Sequence, residues 1–457
     1  MDSNSTSKKF TKIIYEMSRT PVPEEIIELV KDRFIDYLAV TIGGSNVNYS
    51  SNRKYLKEND LGGVNHVIGY RDVTSLNNAV LLNAFNAHIL ELDDGHRRAM
   101  AHMEAPIFSA LLGIAEVRGC TMEEVLDAAV VGYEVSVRIA SAIQPGHKKR
   151  GFHASGTCGT IGCAMAVAAL LQFDESEMQN VLSASATAGA GLLEVITGKS
   201  EQKPYNIANA AVAGVNAALY GKLFAGPNDV LGGARGFARN LSSDFDIEQL
   251  LAPVKKFAIE GTYTKPYAAC RHCHAPVEAA LTLSKQAAIQ PEDIKEICVK
   301  TYDLAVYGHD HTEIDGINSA KMSIPYSVAV AYLKQKCGME MFTEDMVANS
   351  EILALTHKVT VKEDPDLSSL VPARRVAVVN VCAVDGKVLE ARVDYPKGEP
   401  ENPISKEELQ DKFYSLTGFA GIAELQAKVV LDFVYSHGED TIKQLFQTME
   451  ENNWRKD

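Results

Sequence analysis

Residues 206–225, NIANAAVAGVNAALYGKLFA, are almost uniformly small or apolar. A run of this kind predicts a helix covered on every side, because no polar face is left for water. Residues 160–173, TIGCAMAVAALLQF, predict a second buried helix. Around these two lie further segments with helical spacing: 24–43, 75–91, 105–118 and 174–193. Residues 121–143 open with Thr121 and Glu124, the pair that makes a capping box. Aromatics are scarce at 7%, while Ala and Gly are abundant, so helices can approach one another closely. Consecutive helices with short connections predict a helical bundle over residues 1–264.

The pattern changes near residue 265. Residues 294–302 and 356–364 alternate like strands, and 374–396 hold two strand-like runs joined by Asp385-Gly386, a hairpin signal. Helices are expected at 323–335 and 343–356. The Pro- and charge-rich stretch 397–405 reads as a linker, and the tail beyond 406 is helical again. The expected fold is therefore mainly α, with a large all-helical domain (1–264 with 400–457) and a smaller α+β lid (265–399).

Composition narrows the function. A formal net charge of −14 with no basic block argues against nucleic-acid binding. The N-terminal MDSNSTSKKFTKII lacks the apolar run of a secretion signal, and no stretch matches a membrane span. The eight cysteines are then expected as free thiols in a cytoplasmic protein.

Five stretches bring reactive groups together. HILELDDGHRRAMAH (88–102) crowds Glu91, Asp93 and Asp94 with His88, His96 and His102 between apolar segments. Such crowding costs free energy unless the charges are paired or used, which suits proton transfer. Metal ligation and simple capping are the other readings, and no HExxH accompanies the cluster. RGFHASGTCGTIG (150–162) reads as a loop around His153, with a helix starting near Thr160. Lys203 precedes the small-residue helix. In TKPYAACRHCHAP (264–276), Cys270-x-x-Cys273-His274 fits a haem-attachment pattern, but no export signal supports it and no second pair completes a zinc site. Lys265, Cys270, His272 and His274 are expected to face a cleft at the domain junction. Last, Lys321 and Tyr326 enter an apolar helix behind the polar loop YGHDHTEID (307–315).

In their order along the chain, LELDDGHR…H, GFHASGTCGTIG, KPYNIANAAVAG, KPYAACRHCHAP and AKMSIPYSVA resemble the MmgE/PrpD family. That family includes 2-methylcitrate dehydratase, cis-aconitate decarboxylase and iminodisuccinate epimerase. The resemblance implies a homodimer with no nicotinamide, flavin or metal, acting on a di- or tricarboxylate in a cleft between helical domain and lid. It implies catalytic roles for Asp93, His102, His153 and Tyr326, and substrate contacts from Lys203, Lys265, His274 and Cys270. Gly95 stands where the decarboxylase has Thr, and Cys270 where it has His. The shared chemistry is proton transfer at a carbon beside a carboxylate. The expected activity is a dehydratase-like lyase, with epimerisation of a substituted succinate or decarboxylation as alternatives.

Overall fold

Glycine and alanine set how tightly the helices meet. The computed structural model describes residues 5–59, 62–197, 200–286, 288–436 and 438–456, and it is mainly α-helical with small sheets. The helix Ala154–Leu170 is buried along nearly its whole length. It packs between Met122–Ile143 and Lys203–Asn216. The capping box of Thr121 and Glu124 is present at the start of Met122–Ile143. The small-residue run forms Lys203–Asn216 and continues through a π-type turn, Ala217–Gly221.

One expectation is corrected here. The glycine-rich stretch after His153 is helix, not loop, and the helix starts at Ala154 rather than near Thr160. Glycine inside a helix costs about 1 kcal/mol relative to alanine. Close packing offsets that cost: Gly162 lies against Ser136 and the Gly132 carbonyl, and Gly156 against the Ala190 carbonyl.

Leu76–Ile89 lies against Glu24–Val47, Glu104–Arg118 and Lys203–Asn216, and its C-terminal end opens into the site described below. The C-terminal helix Lys406–Phe419 packs on Glu24–Val47, where Lys412 meets the buried Asp36 at 2.5 Å.

Residues 294–393 carry a four-stranded sheet. Its central strand Ile294–Thr301 pairs parallel with Val359–Glu363 and antiparallel with Ala377–Ala383, which continues to Val388–Val393. Gly386 supplies the left-handed residue of the hairpin, with φ of 92°. Ile297, Val299, Val379 and Val381 are buried. The helices His274–Lys285 and Ile324–Lys334 pack on the sheet.

Two further expectations change. Residues 343–356 form two short helices, because Asn349 accepts from the amides of Glu351 and Ile352 and starts a new one. Residues 397–405 are a tied-down strap rather than a free linker. The Thr264 amide donates to the Gly398 carbonyl at 3.1 Å. The buried Glu399 carboxylate accepts from Arg271 at 2.7 Å and Arg97 at 2.9 Å.

Two alanine substitutions test this account. Gly162→Ala is expected to destabilise by about 1–3 kcal/mol through overpacking. Gly418→Ala, at an exposed helical position with nothing within 4 Å of an added methyl, is expected to stabilise by about 0.5–1 kcal/mol. Urea unfolding of the two variants measures both signs.

Candidate active site

The site begins where Leu76–Ile89 ends. The last carbonyls of a helix have no partner within it and carry its negative end. Here three lysines from distant segments take up the carbonyls of the helix end and the following turn. Lys321 donates to Leu90 O at 3.1 Å, Lys265 to Glu91 O at 3.0 Å and Lys412 to Leu92 O at 2.7 Å. Glu91 adopts the left-handed region, φ 57°, which a side chain other than glycine rarely takes. That conformation turns its carboxylate back toward the lysines.

The Glu91 carboxylate bridges Lys203 and Lys265, the latter at 3.4 Å. Burial alone would raise the pKa of Glu91, but Lys203 and Lys265, helped by His88 and His102, hold it well below the usual range. Lys265 and Lys321 are buried, whereas the Lys203 side chain keeps 12% of its surface exposed. Lys203 is thus the cation that an entering anion meets.

Three imidazoles sit beside this bridge. His88 Nδ1 lies 2.7 Å from Asp93 Oδ2, and the His88 and His102 rings meet edge to face with centroids 4.9 Å apart. The His153 ring is 6.5 Å from that of His88. Burial lowers the pKa of His102, with Lys265 adding to it, so the ring is neutral near pH 7. Its Nδ1 donates to the Asp94 carbonyl at 2.5 Å, which places the lone pair on Nε2. His153 has the opposite tautomer. The Asn206 amide nitrogen donates to Leu192 O at 3.0 Å and to His153 Nδ1 at 3.2 Å, leaving the proton on Nε2. His153 itself is the residue before Ala154–Leu170. Burial would raise Asp93, but its contact with His88, and Lys265 nearby, keep it ionised.

The floor beneath is acidic and dry. Asp94 accepts from the amides of Met103 and Glu104 at 2.9 and 3.0 Å and from the Tyr133 hydroxyl at 2.8 Å. It thereby satisfies the N-terminus of Glu104–Arg118. Burial pushes its pKa up to about 6. Burial, then Asp36 and Asp94, raise that of Glu104 well above the usual carboxyl value.

The sequence-nominated residues divide. Asp93, His102, His153, Lys203 and Lys265 converge within this one region. Cys270 lies on the opposite wall, its Sγ 3.9 Å from His309 Nε2. His274 and Tyr326 are elsewhere. His274 is buried between Arg271, at 2.8 Å, and the Ala269 carbonyl, at 3.1 Å. The Tyr326 hydroxyl donates to Met341 O at 2.9 Å, with its ring against Phe342. The position five residues earlier, Lys321, is the one that reaches the site. Sequence reasoning noted Glu91, His88, Lys321 and His272 without assigning them roles. The signal for Glu91 was its spacing of three from His88 at a helix end.

Two groups of side chains place ligand atoms close enough to share a cation: His88, Asp93 and His102, and Cys270, His272 and His309. Each faces an ammonium. Lys265 Nζ is 3.8 Å from Asp93 Oδ1, and Lys148 Nζ is 3.1 Å from His272 Nε2. The electrostatics of both favour an anion. A cleft of about 1300 Å³ reaches the Glu91–Lys203 pair and His309, and its lining includes Ile89, Glu91, Lys148, Lys203, His309 and Met322.

Family models identify the chain. The MmgE/PrpD N-terminal domain matches residues 8–250 and the MmgE/PrpD C-terminal domain residues 267–432. The chain belongs to the MmgE/PrpD family. Among curated relatives, cis-aconitate decarboxylase of Aspergillus terreus (strain NIH 2624 / FGSC A1156) is 26% identical over 95% of this chain and 94% of its own. The human cis-aconitate decarboxylase is 24% identical over 73% and 71%. Among the described residues no helix is long and apolar enough to cross a membrane.

The acidic floor yields a stability prediction. Glu104 keeps its proton in the folded state to a higher pH than when unfolded. Between those two pKa values the folded state binds more protons, so its stability falls as pH rises, by about 1.4 kcal/mol per pH unit. Glu104→Gln removes this slope. Its melting temperature relative to wild type is expected to increase as pH rises above the ordinary carboxyl range; a constant difference would show that folding does not raise the Glu104 pKa.

Proposed function

We propose that this protein is a lyase that acts without a nicotinamide, flavin or metal on a small polycarboxylate, by proton transfer at a carbon beside a carboxylate. The observation that carries this reading is the meeting of a neutral imidazole, His102 with Nε2 free, and the Lys203–Glu91–Lys265 bridge. Membership of the family and the names of the decarboxylase relatives support a lyase-type enzyme.

A substrate carboxylate meets Lys203 and displaces Glu91, which stays on Lys265. His102 Nε2 takes the proton from the adjacent carbon, and the electron pair moves into the carboxylate as an enediolate beside Lys203. Asp93, held ionised, stabilises the imidazolium that forms. His153 Nε2–H hydrogen-bonds the developing charge. In dehydration the protonated His102 gives its proton to the β-hydroxyl, which leaves as water, and the ring is neutral again. The division into helical domain and α+β lid, at 265 and 400, frames this cleft.

Dehydration is the first reading. A carboxylate lost as CO2 must give up its charge, and ion pairs with lysine stabilise that charge before it is lost. The lysines gathered around Glu91 therefore favour keeping every carboxylate and breaking C–H and C–O bonds. Decarboxylation is the second reading, favoured by the names of the relatives. Proton NMR in D2O with citrate, methylcitrate, cis-aconitate and substituted succinates separates them. A new vinyl signal from a hydroxy acid marks dehydration, and CO2 release marks decarboxylation. Exchange of the α-proton without net conversion marks an epimerase, and no change across the panel sinks the proposal.

His102→Gln is expected to lower kcat by about 10²–10⁴-fold with little change in melting temperature. Lys321, lowered by burial to about 8, loses its charge above that pH. For wild type, kcat/KM is accordingly expected to fall on the alkaline side of pH 8, measured by initial rates from pH 6 to 9.5.

A homodimer is part of the same proposal. Leu192, Tyr205, Tyr220, Leu223 and Phe224 are all more than half exposed, more apolar surface than a monomer usually leaves in one stretch of chain. Light scattering after size exclusion should give twice the chain mass of 49.7 kDa, and Leu223→Glu with Phe224→Glu should halve it.

A further inference from the structure

The cleft holds a second polar group that the reaction above leaves unused. Lys148, in the short helix Gly146–Lys149, reaches the opposite wall, where its Nζ lies 3.1 Å from His272 Nε2. His272 Nδ1 meets the Tyr302 hydroxyl at 2.6 Å, and the His309 ring stacks on His272 with centroids 4.9 Å apart. Burial, with Lys148 and His309 adding to it, keeps His272 neutral at pH 7. Its Nδ1–H therefore donates to Tyr302, and its Nε2 accepts from Lys148. An ammonium has three donors, so two of those on Lys148 remain available.

The charge balance on this wall differs from that around Glu91. Lys203 and Lys265 share a carboxylate. Among the described residues no carboxylate lies within 4 Å of Lys148 or of the buried Arg375, whose guanidinium donates to the Arg97 carbonyl at 2.8 Å. Burial lowers the Lys148 ammonium to about 8, and the Arg375 and Lys203 charges lower it further toward that value. Cys270 and Asp303 offset part of this positive charge, and the remainder, enclosed by protein, costs free energy that an anionic ligand recovers. Lys148 and Lys203 line the same cleft, and Lys203 is near enough for its charge to act on Lys148. The neighbouring Cys270, His272 and His309 have ligand atoms within 4.8 Å of one another, but a dication there would face the Lys148 ammonium directly.

We propose that Lys148, oriented by His272 and backed by Arg375, forms a second anion subsite that binds a further carboxylate of the substrate and selects tricarboxylates over dicarboxylates. This rests on the polycarboxylate reading of the Lys203 site. Lys203 takes the carboxylate next to the reacting carbon, and Lys148 takes one at the far end of the molecule.

Isothermal titration of the full-length protein tests the subsite with propane-1,2,3-tricarboxylate and succinate as probes. In Lys148→Gln the tricarboxylate is expected to bind about tenfold more weakly or worse, the loss of one charged hydrogen bond, while succinate changes less than about twofold. Lys148→Arg should restore most of the difference, and Lys203→Gln should weaken both ligands. Equal weakening of both ligands by Lys148→Gln, or of neither, overturns the subsite and leaves the Lys203 reading standing. Wild-type protein that binds neither probe overturns both. Should Lys148→Gln fail to fold, His272→Gln carries the same comparison, because it removes the acceptor that aims the ammonium.

Discussion

The carbonyls that follow Leu76–Ile89 organise both the architecture and the site. A buried helix end without partners is unstable, and this one lies where no water could satisfy all of it. Lys265, Lys321 and Lys412 supply the donors, from positions more than 170 residues further along the chain. Each ammonium is stabilised by the negative helix end, and together they pin the α+β part and the C-terminal helices onto the helical body. The polarity of the cleft follows directly. Lysines brought in to satisfy carbonyls still have donors to spare: Lys265 turns one to the Glu91 carboxylate, which borders the cleft, and Lys412 turns one to Asp36.

Glu91 then has a double part. Its carboxylate neutralises two lysines that would otherwise repel each other, which keeps the site folded without a ligand. It also occupies the place where a ligand carboxylate would be most favourable. Its left-handed backbone stores strain, and strain persists only where surrounding contacts outweigh it. On the proposed reading, an anion would bind here by exchange of one carboxylate for another, so the net gain would be smaller than the lysines alone would give. That cost favours ligands with more than one charge, which keep contacts elsewhere in the cleft while Glu91 is displaced.

Much of the fold was legible in the sequence because it depends on local pattern. Periodic apolar positions located Glu24–Val47, Glu104–Arg118 and Met122–Ile143, and Asp385-Gly386 located the hairpin. The misreadings share a cause: local propensity was overridden by contacts far along the chain. Gly156 and Gly162 looked like loop residues, yet their lack of side chains is what lets the helix Ala154–Leu170 sit against its neighbours. Residues 397–405 looked like a linker, since nothing nearby showed that Arg97 and Arg271 would clasp Glu399. At the site, the motif carrying Asp93, His102, His153, Lys203 and Lys265 was readable. Lys321 and Tyr326 were near neighbours in sequence, and only the helix phase of Ile324–Lys334 turns Tyr326 into the core.

The tautomers of His102 and His153 are set by hydrogen bonds from neighbouring segments of the helical body. His102 is fixed by a backbone carbonyl, that of Asp94, whose own side chain is committed to the N-terminus of Glu104–Arg118. His153 is fixed by Asn206, whose amide is oriented by the Leu192 carbonyl. One ring therefore offers a lone pair and the other a proton, although both are neutral imidazoles made neutral by the same burial. Their difference comes from hydrogen bonds to helix ends and turns rather than from charge. The proton inventory of the site is therefore a property of how the helices pack.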